Sequence, residues 1–286
     1  MQVINTIVDL RKAINIWRSA GERIAFVPTM GNLHAGHLKL VEEAKLSADR
    51  VVVSIFVNPT QFGVGEDFEA YPRTEEDDRQ KLDAAEIDLL FLPSVSEMYG
   101  DGAGDGVKTV VSVKNLSTLH CGVSRPGHFD GVATAVCKLF NMVQPDVVFF
   151  GQKDFQQLAI IRTMVRDLNI PIEIRPVETV RESSGLAMSS RNAYLNPREL
   201  QVAPKLYQVL CTACDEIISG KKSYEAIENE ALAYLQAAGF HPDYFSVCRA
   251  DDLQKADKQD TDLVLLAAAK LGRTRLIDNI CFSLAS

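Results

Sequence analysis

The chain is predicted to be an α/β protein: a parallel sheet crossed by helices, followed by a smaller α+β domain. Three observations predict this. Short apolar runs alternate with longer amphipathic runs from residue 6 to about residue 182, the rhythm of strand–helix–strand units with right-handed crossovers. Two of the strand-like runs, residues 51–57 and 146–150, are apolar almost throughout, as parallel strands covered on both faces should be. Beyond residue 197 the order changes to two long helical patterns and then three strand-like runs. That break in rhythm marks a second unit.

The elements follow in order. Residues 6–20 have Ile7, Leu10, Ile14 and Trp17 on one stripe, which predicts a helix. Thr6 is its N-cap, with Asp9 three residues on. Residues 24–27 form a buried strand, and a helix runs from the following turn to about residue 47. The strand at 51–57 ends in Asn58-Pro59-Thr60-Gln61. Thr74 caps an acidic helix opening with Glu75, Glu76, Asp77 and Asp78, whose charges suit the helix dipole. Residues 88–93 make a third strand. The glycine-rich residues 99–106 are expected to be a mobile loop without calcium-loop spacing. Residues 108–113 alternate and predict a short strand. A helix over 131–143, a strand over 146–150, a helix over 155–168 and a strand over 172–177 complete this half. Helices over 198–218 and 223–238 and strands over 244–249, 263–271 and 274–282 make up the smaller domain. The boundary is expected at 184/185.

Composition narrows the function. The 286 residues allow a sizeable core. The apolar fraction of 47% and charged fraction of 24% are those of an ordinary globular protein. A net charge of −8 argues against a broad nucleic-acid surface. No apolar run is long enough to span a bilayer, and the start has no basic and apolar leader pattern. Of six cysteines, only Cys211 and Cys214 have CxxC spacing, inside a helical pattern; reduced core thiols are expected.

The most informative stretch is Pro28-Thr29-Met30-Gly31-Asn32-Leu33-His34-Ala35-Gly36-His37, a strand-to-helix turn. His34 and His37 share one face of the first helical turn, where free N–H groups and the helix dipole favour phosphate. On this stretch alone the pair is also open to being capping or core imidazoles, or half of a metal site with no acid or Cys nearby. In a parallel sheet, ligands bind beyond the carboxyl ends of the strands. Four polar clusters follow four strands here: His34/His37, Asn58/Gln61, Lys153/Asp154 and Val180/Arg181. They predict one shared site.

With these clusters in place, the chain resembles the pantothenate synthetase (pantoate–β-alanine ligase) family of the HIGH-motif, adenylate-forming nucleotidyltransferases. The matching stretches are 28–37, 53–62, 70–74, 149–157, 180–182, 188–192 and 275–279. The resemblance implies a Rossmann-like sheet with a C-terminal lid of helices and a three-stranded antiparallel sheet. It implies ATP-dependent joining of (R)-pantoate to β-alanine through pantoyl adenylate, releasing AMP and diphosphate. It places Met30, Gly31, Asn32, Leu33, His34, Ala35, Gly36 and His37 at ATP, with His37 as proton donor. Gly151, Gln152, Lys153, Asp154 and Val180 join them, as do Met188, Ser189, Ser190 and Arg191, a KMSKS-like element. His34, His37, Lys153 and Arg191 are the implied catalytic set. Gln61, Gln157 and Asn58 are implied for pantoate, Gln61 also for β-alanine, and Asp77 for Mg²⁺. Arg125 and His128 are either substrate contacts or a capping loop. A homodimer in the cytoplasm is implied, with no nucleic-acid or membrane partner. Gln152 stands where the family more often has Glu. Rival readings are another adenylyltransferase, a small tRNA-synthetase-like protein and an ATP-sensing module.

Overall fold

A computed structural model describes residues 1–100 and 108–284. The glycine-rich stretch expected to be a loop lies mostly outside them. The first sheet has six parallel strands in the order β1-β4-β3-β2-β5-β6. These are β1 (Gln2–Ile4), β2 (Ile24–Thr29), β3 (Arg50–Ile55), β4 (Leu89–Phe91), β5 (Val147–Gly151) and β6 (Glu173–Val177). The edge strand β1 was not expected. It pairs Gln2–Ile4 with Leu89–Phe91 and is too short to carry a period of its own.

Successive residues along these strands go to opposite faces. Phe26, Val52, Phe91, Val148 and Phe150 join one core with α1 (Ile7–Ser19), α6 (His128–Val143) and α7 (Phe155–Asp167). Val27, Val53, Leu90 and Phe149 join a second core with α2 (Ala35–Lys45) and α3 (Glu75–Ala84). Both faces are covered, so the strands read as apolar throughout. Thr6 caps α1 as expected, its Oγ1 accepting from the Asp9 N–H at 3.2 Å. Two short helices, α4 (Val95–Tyr99) and α5 (Cys121–Ser124), were not anticipated.

The expected strand at 108–113 is not one. No strand lies beside this segment among the described residues, and the Val111 N–H donates instead to Thr134 Oγ1 on α6.

The C-terminal part holds α8 (Pro197–Val202), α9 (Lys205–Ser219), α10 (Tyr224–Ala237) and an antiparallel sheet β7-β8-β9. Its strands are β7 (His241–Arg249), β8 (Asp262–Leu271) and β9 (Thr274–Ser283). Strand β8 is buried on both sides. Leu263, Leu265, Ala267 and Ala269 face α9 and α10, whereas Val264 and Leu266 join the core of α6 and α7. The small sheet therefore shares a core with the large one. All six cysteines are free thiols. No helix among the described residues is long and apolar enough to cross a membrane.

Candidate active site

In the sheet, β2 lies between β3 and β5. The chain runs outward from β2 through β3 and β4, then crosses back to β5 and β6. The crevice beyond β2 and β5 is thus the topological switch point, where such sheets bind ligands. The turn after β2 is 30–34, the turn after β5 is 152–154, and those after β3 and β6 lie on either side.

The turn after β2 is fixed by an aspartate on another helix. Asp78 of α3 is 1% exposed. Its carboxylate accepts from the Asn32 and Leu33 N–H groups, each at 2.7 Å, and from Thr74 Oγ1 at 3.2 Å. Thr74 therefore sits at the N-cap of α3 but commits its hydroxyl to Asp78, with no capping bond. Gly31 has φ +80°, and a β-carbon there would meet Ile55 at 2.9 Å and Asp78 at 3.0 Å. Only glycine serves at that position.

His34 is the N-cap of α2. Its Nδ1 accepts from the Gly36 N–H at 3.1 Å, and His37 Nδ1 accepts from the His34 N–H at 3.3 Å. An imidazole whose Nδ1 accepts carries its proton on Nε2. Both rings, 4.1 Å apart between centroids, are therefore Nε2–H donors. Burial, assisted by the Lys153 charge, lowers the His34 pKa to about 4. Burial and the neighbouring His34 lower that of His37 to about 3. The pair is neutral at pH 7 and donates hydrogen bonds without carrying charge. The capping reading is thus correct and also sets the donor geometry.

Asn58, after β3, is buried and fully committed. Its Oδ1 accepts from Tyr99 OH at 2.7 Å and from Thr60, and its Nδ2 donates to Gly131 O and Gln61 Oε1, each at 3.1 Å. It holds Gln61 rather than offering a free amide. Gln61 Nε2 reaches Met30 Sδ at 3.0 Å, a weak acceptor that a stronger one would replace. Helix α6 comes so close that a β-carbon on Gly131 would lie 2.3 Å from Thr60 O. Of the two glutamines on α7, Gln156 is buried and ties residues 116–121 through three bonds. Gln157 lines a small cavity of about 60 Å³ with Arg125, His128 and Lys153.

Lys153 and Asp154 also line a cleft of about 710 Å³ between the two sheets. Lys153 Nζ is 4.0 Å from Asp154 Oδ2, too far for a hydrogen bond. Across the cleft are Ser189, Arg191 and, from the β8–β9 hairpin, Arg273 and Arg275. Arg191 makes a two-pronged pair with Asp67, both contacts at 3.0 Å. Arg125 makes a similar pair with Glu66, both at 2.6 Å, and reaches His128 Nε2 at 2.9 Å. Burial holds the His128 pKa down at about 4. Ser190 Oγ donates to Asn32 O at 3.2 Å, seating the 188–191 turn on the His turn. Val180 O accepts from the Met188 N–H at 3.0 Å. His34, His37 and Gln61 do not line the large cleft; Ser190 links the 188–191 turn to the His turn, and the Lys153 charge is near enough to act on His34.

Asp77 is not where the carboxylate matters most. It is exposed and paired with Lys81 at 2.6 Å, while Lys81 also holds Leu33 O at 2.8 Å. Residues 78 and 82 share the buried face of α3, and 77 and 81 the outer face. That i, i+4 register was the signal that singles out Asp78. Asp67 and Tyr99 left no comparable signal, and Asn279 left only its place in the matching stretch 275–279.

This open parallel sheet, with an HxGH turn capping a helix at its switch point, has the α/β nucleotidyltransferase fold. Comparison with known proteins specifies it further. The model of the family described as pantoate-beta-alanine ligase matches residues 2–281, and the chain belongs to that family. It is a ligase. It is 54% identical to the pantothenate synthetase of Methylococcus capsulatus over 284 residues, 99% of each chain. It is 56% identical to that of Shewanella oneidensis over 274 residues, 96% of each. Among solved structures, pantothenate synthetase from Thermus thermophilus superposes with a TM-score of 0.90 at 44% identity, covering 98% of this chain and 99% of that one. The pantoate-beta-alanine ligase of Francisella tularensis, complexed with beta-gamma ATP and beta-alanine, superposes at 0.81 with 33% identity, covering 98% and 97%.

Proposed function

We propose that the enzyme joins (R)-pantoate to β-alanine with cleavage of ATP, in pantothenate (vitamin B5) and coenzyme A synthesis. The observation that supports it best is the meeting of the His turn, the Lys153 turn and the Ser189–Arg191 turn at one switch point, beside two amides suited to hydroxyls.

In the first step a pantoate carboxylate oxygen attacks the α-phosphorus of ATP, and the bond from that phosphorus to the bridging oxygen breaks. Charge moves onto the departing diphosphate. Fixed donors aimed at that charge stabilise it without reorganising. This task falls to the Nε2–H groups of His34 and His37, to Lys153, and to Ser189, Ser190 and Arg191. The depressed histidine pKa values make the pair hydrogen-bond donors at rest. Proton transfer from His37 would follow only once phosphate charge raises its pKa. The main chain of residues 30–37, 151–154, 180 and 188 completes the nucleotide contacts. Arg191 is the exception among these donors, since it must leave Asp67 before it meets phosphate oxygens.

In the second step the neutral amine of β-alanine attacks the acyl carbon. The bond to AMP breaks and the nitrogen loses a proton. Positioning alone removes several kcal/mol of such a barrier. Gln61 and Gln157 hold pantoate, Gln61 also meets β-alanine, and Asn58 acts through Gln61. Amides both donate and accept, as hydroxyl recognition requires.

No cluster of three metal-ligating side chains occurs among the described residues. Mg²⁺ bound with ATP would neutralise phosphate charge as the diphosphate departs. Asp77, the carboxylate the family resemblance offers it, is paired with Lys81 and would have to leave that partner to hold the ion. We retain the domain boundary at 184/185, the homodimer and the cytoplasmic location as parts of the same proposal.

The test is product analysis. ATP and pantoate alone should support exchange of labelled diphosphate into ATP, and adding β-alanine should yield AMP and the amide in equal amounts. Diphosphate exchange that ignores pantoate would overturn the reading in favour of another adenylyltransferase.

A further inference from the structure

The Lys153 turn is held from the C-terminal sheet. Asn279 on β9 is 7% exposed, and its Nδ2 donates to Gln152 O and Lys153 O, both at 2.9 Å. One side-chain amide thus bridges two consecutive carbonyls of the turn. Asn279 is itself fixed by its neighbour: its N–H donates to Asp278 Oδ1 at 2.8 Å. Asp278 is 4% exposed and receives a two-pronged pair from Arg181, at 2.6 and 3.0 Å. Arg181 lies 3.5 Å over the Tyr207 ring and donates to Gly185 O at 3.2 Å. It also bridges to Ala187, one residue before Met188.

We infer that Asn279, set in place by the Arg181–Asp278 pair, is a positioning residue for Lys153 and the first chemical step. The inference rests on the reading above. The groups of this relay are buried or half-buried and each is tied to named partners, so the relay has one geometry. Lys153 Nζ itself has no hydrogen-bond partner among the described residues. Its place is set by its backbone, and the backbone carbonyls of 152 and 153 are set by Asn279. The same relay reaches the base of the 188–191 turn through Arg181. Two phosphate-facing turns on different parts of the chain are thereby kept in register. Such register matters because displacing a catalytic group by about 1 Å can cost on the order of a hundredfold in rate.

The second step has no triphosphate for Lys153 to hold, so loss of Asn279 should divide the two steps. The experiment measures pantoate-dependent diphosphate exchange and, separately, aminolysis of pantoyl adenylate supplied directly. Asn279→Ala should lower exchange by tenfold or more and raise the KM for ATP, with aminolysis changed less than threefold. Asn279→Asp, which turns a carboxylate toward two carbonyls, should lower exchange further. Exchange within twofold of the parent, or an equal fall in both steps, overturns the inference. If Asn279→Ala is recovered unfolded, Arg181→Lys replaces the fork by one ammonium and leaves Asn279 in place. It should show the same division at about threefold, and unchanged exchange would overturn the relay. Absence of pantoate-dependent exchange in the parent enzyme would instead refute the proposed function, and so the two failures are distinguishable.

Discussion

Replacing Asp78 by Asn tests how the His turn is built. The substitution keeps the shape of the side chain and removes one charged acceptor. In the native chain the half-buried Asn32 N–H and the buried Leu33 N–H end on separate oxygens of Asp78 at 2.7 Å. After the change one N–H keeps an oxygen and the other faces an amide NH₂. A hydrogen bond to a charged group contributes about 1.5–3 kcal/mol, and a buried unpaired N–H costs about 1–3 kcal/mol. These overlap, so the expected loss is about 2–4 kcal/mol, a large share of the roughly 5–15 kcal/mol that keeps a domain folded. Asp77→Asn is the control. Its carboxylate is 60% exposed and paired with Lys81, and such exposed pairs contribute about 0–1 kcal/mol. Urea unfolding followed by circular dichroism should show a lower midpoint for Asp78→Asn and almost none of that shift for Asp77→Asn. Asp78→Asn should also lower diphosphate exchange by about tenfold or more, since the imidazoles rest on this turn. Equal midpoints for the two variants would refute the account of Asp78 as the anchor.

Four further outcomes follow from the same geometry. His37→Ala and Lys153→Ala should each reduce adenylation on the order of a hundredfold or more while leaving the fold intact; normal turnover at saturating ATP by either would contradict their placement. Folded pKa values of about 4 for His34, about 3 for His37 and about 4 for His128 lie below the ordinary 6.5. The unfolded chain therefore takes up protons first, so stability is full above about pH 6.5 and falls as pH drops toward 4 and 3. Denaturation midpoints at pH 7.5 and 5 should differ in that sense, and equal midpoints would contradict the burial of the three rings. Gly131→Ala should disorder the Gln61 turn or prevent folding, because its β-carbon would lie 2.3 Å from Thr60 O; if it folds, the KM for pantoate should rise at least tenfold, and an unchanged KM would count against the role of Gln61. Asp67→Asn should lower the KM for ATP by releasing Arg191 from its carboxylate partner, which steady-state kinetics would detect; a KM unchanged or raised speaks against Arg191 as a phosphate ligand.

Much of this protein is set locally, and that part was legible in the sequence. Apolar runs such as Val51-Val52-Val53 had to be strands covered on both faces. Thr6 with Asp9 had to open a helix, and His34 with His37 had to share its first turn, because backbone geometry puts residues three apart on one face. The helix-then-strand order after residue 197 was legible too: α9 and α10 precede β7, β8 and β9. Residues 108–113 show the limit of that reading. Their alternation is real, yet a strand needs a neighbour, and α6 supplied a threonine hydroxyl instead. The tertiary structure alone decided which acid anchors the His turn, that Asn58 is committed to Gln61, and that Asn279 reaches back 126 residues to the Lys153 carbonyl. Hydrogen bonds of that kind depend on where two distant backbones pass within about 3 Å of each other, and no periodicity along a single chain encodes that distance.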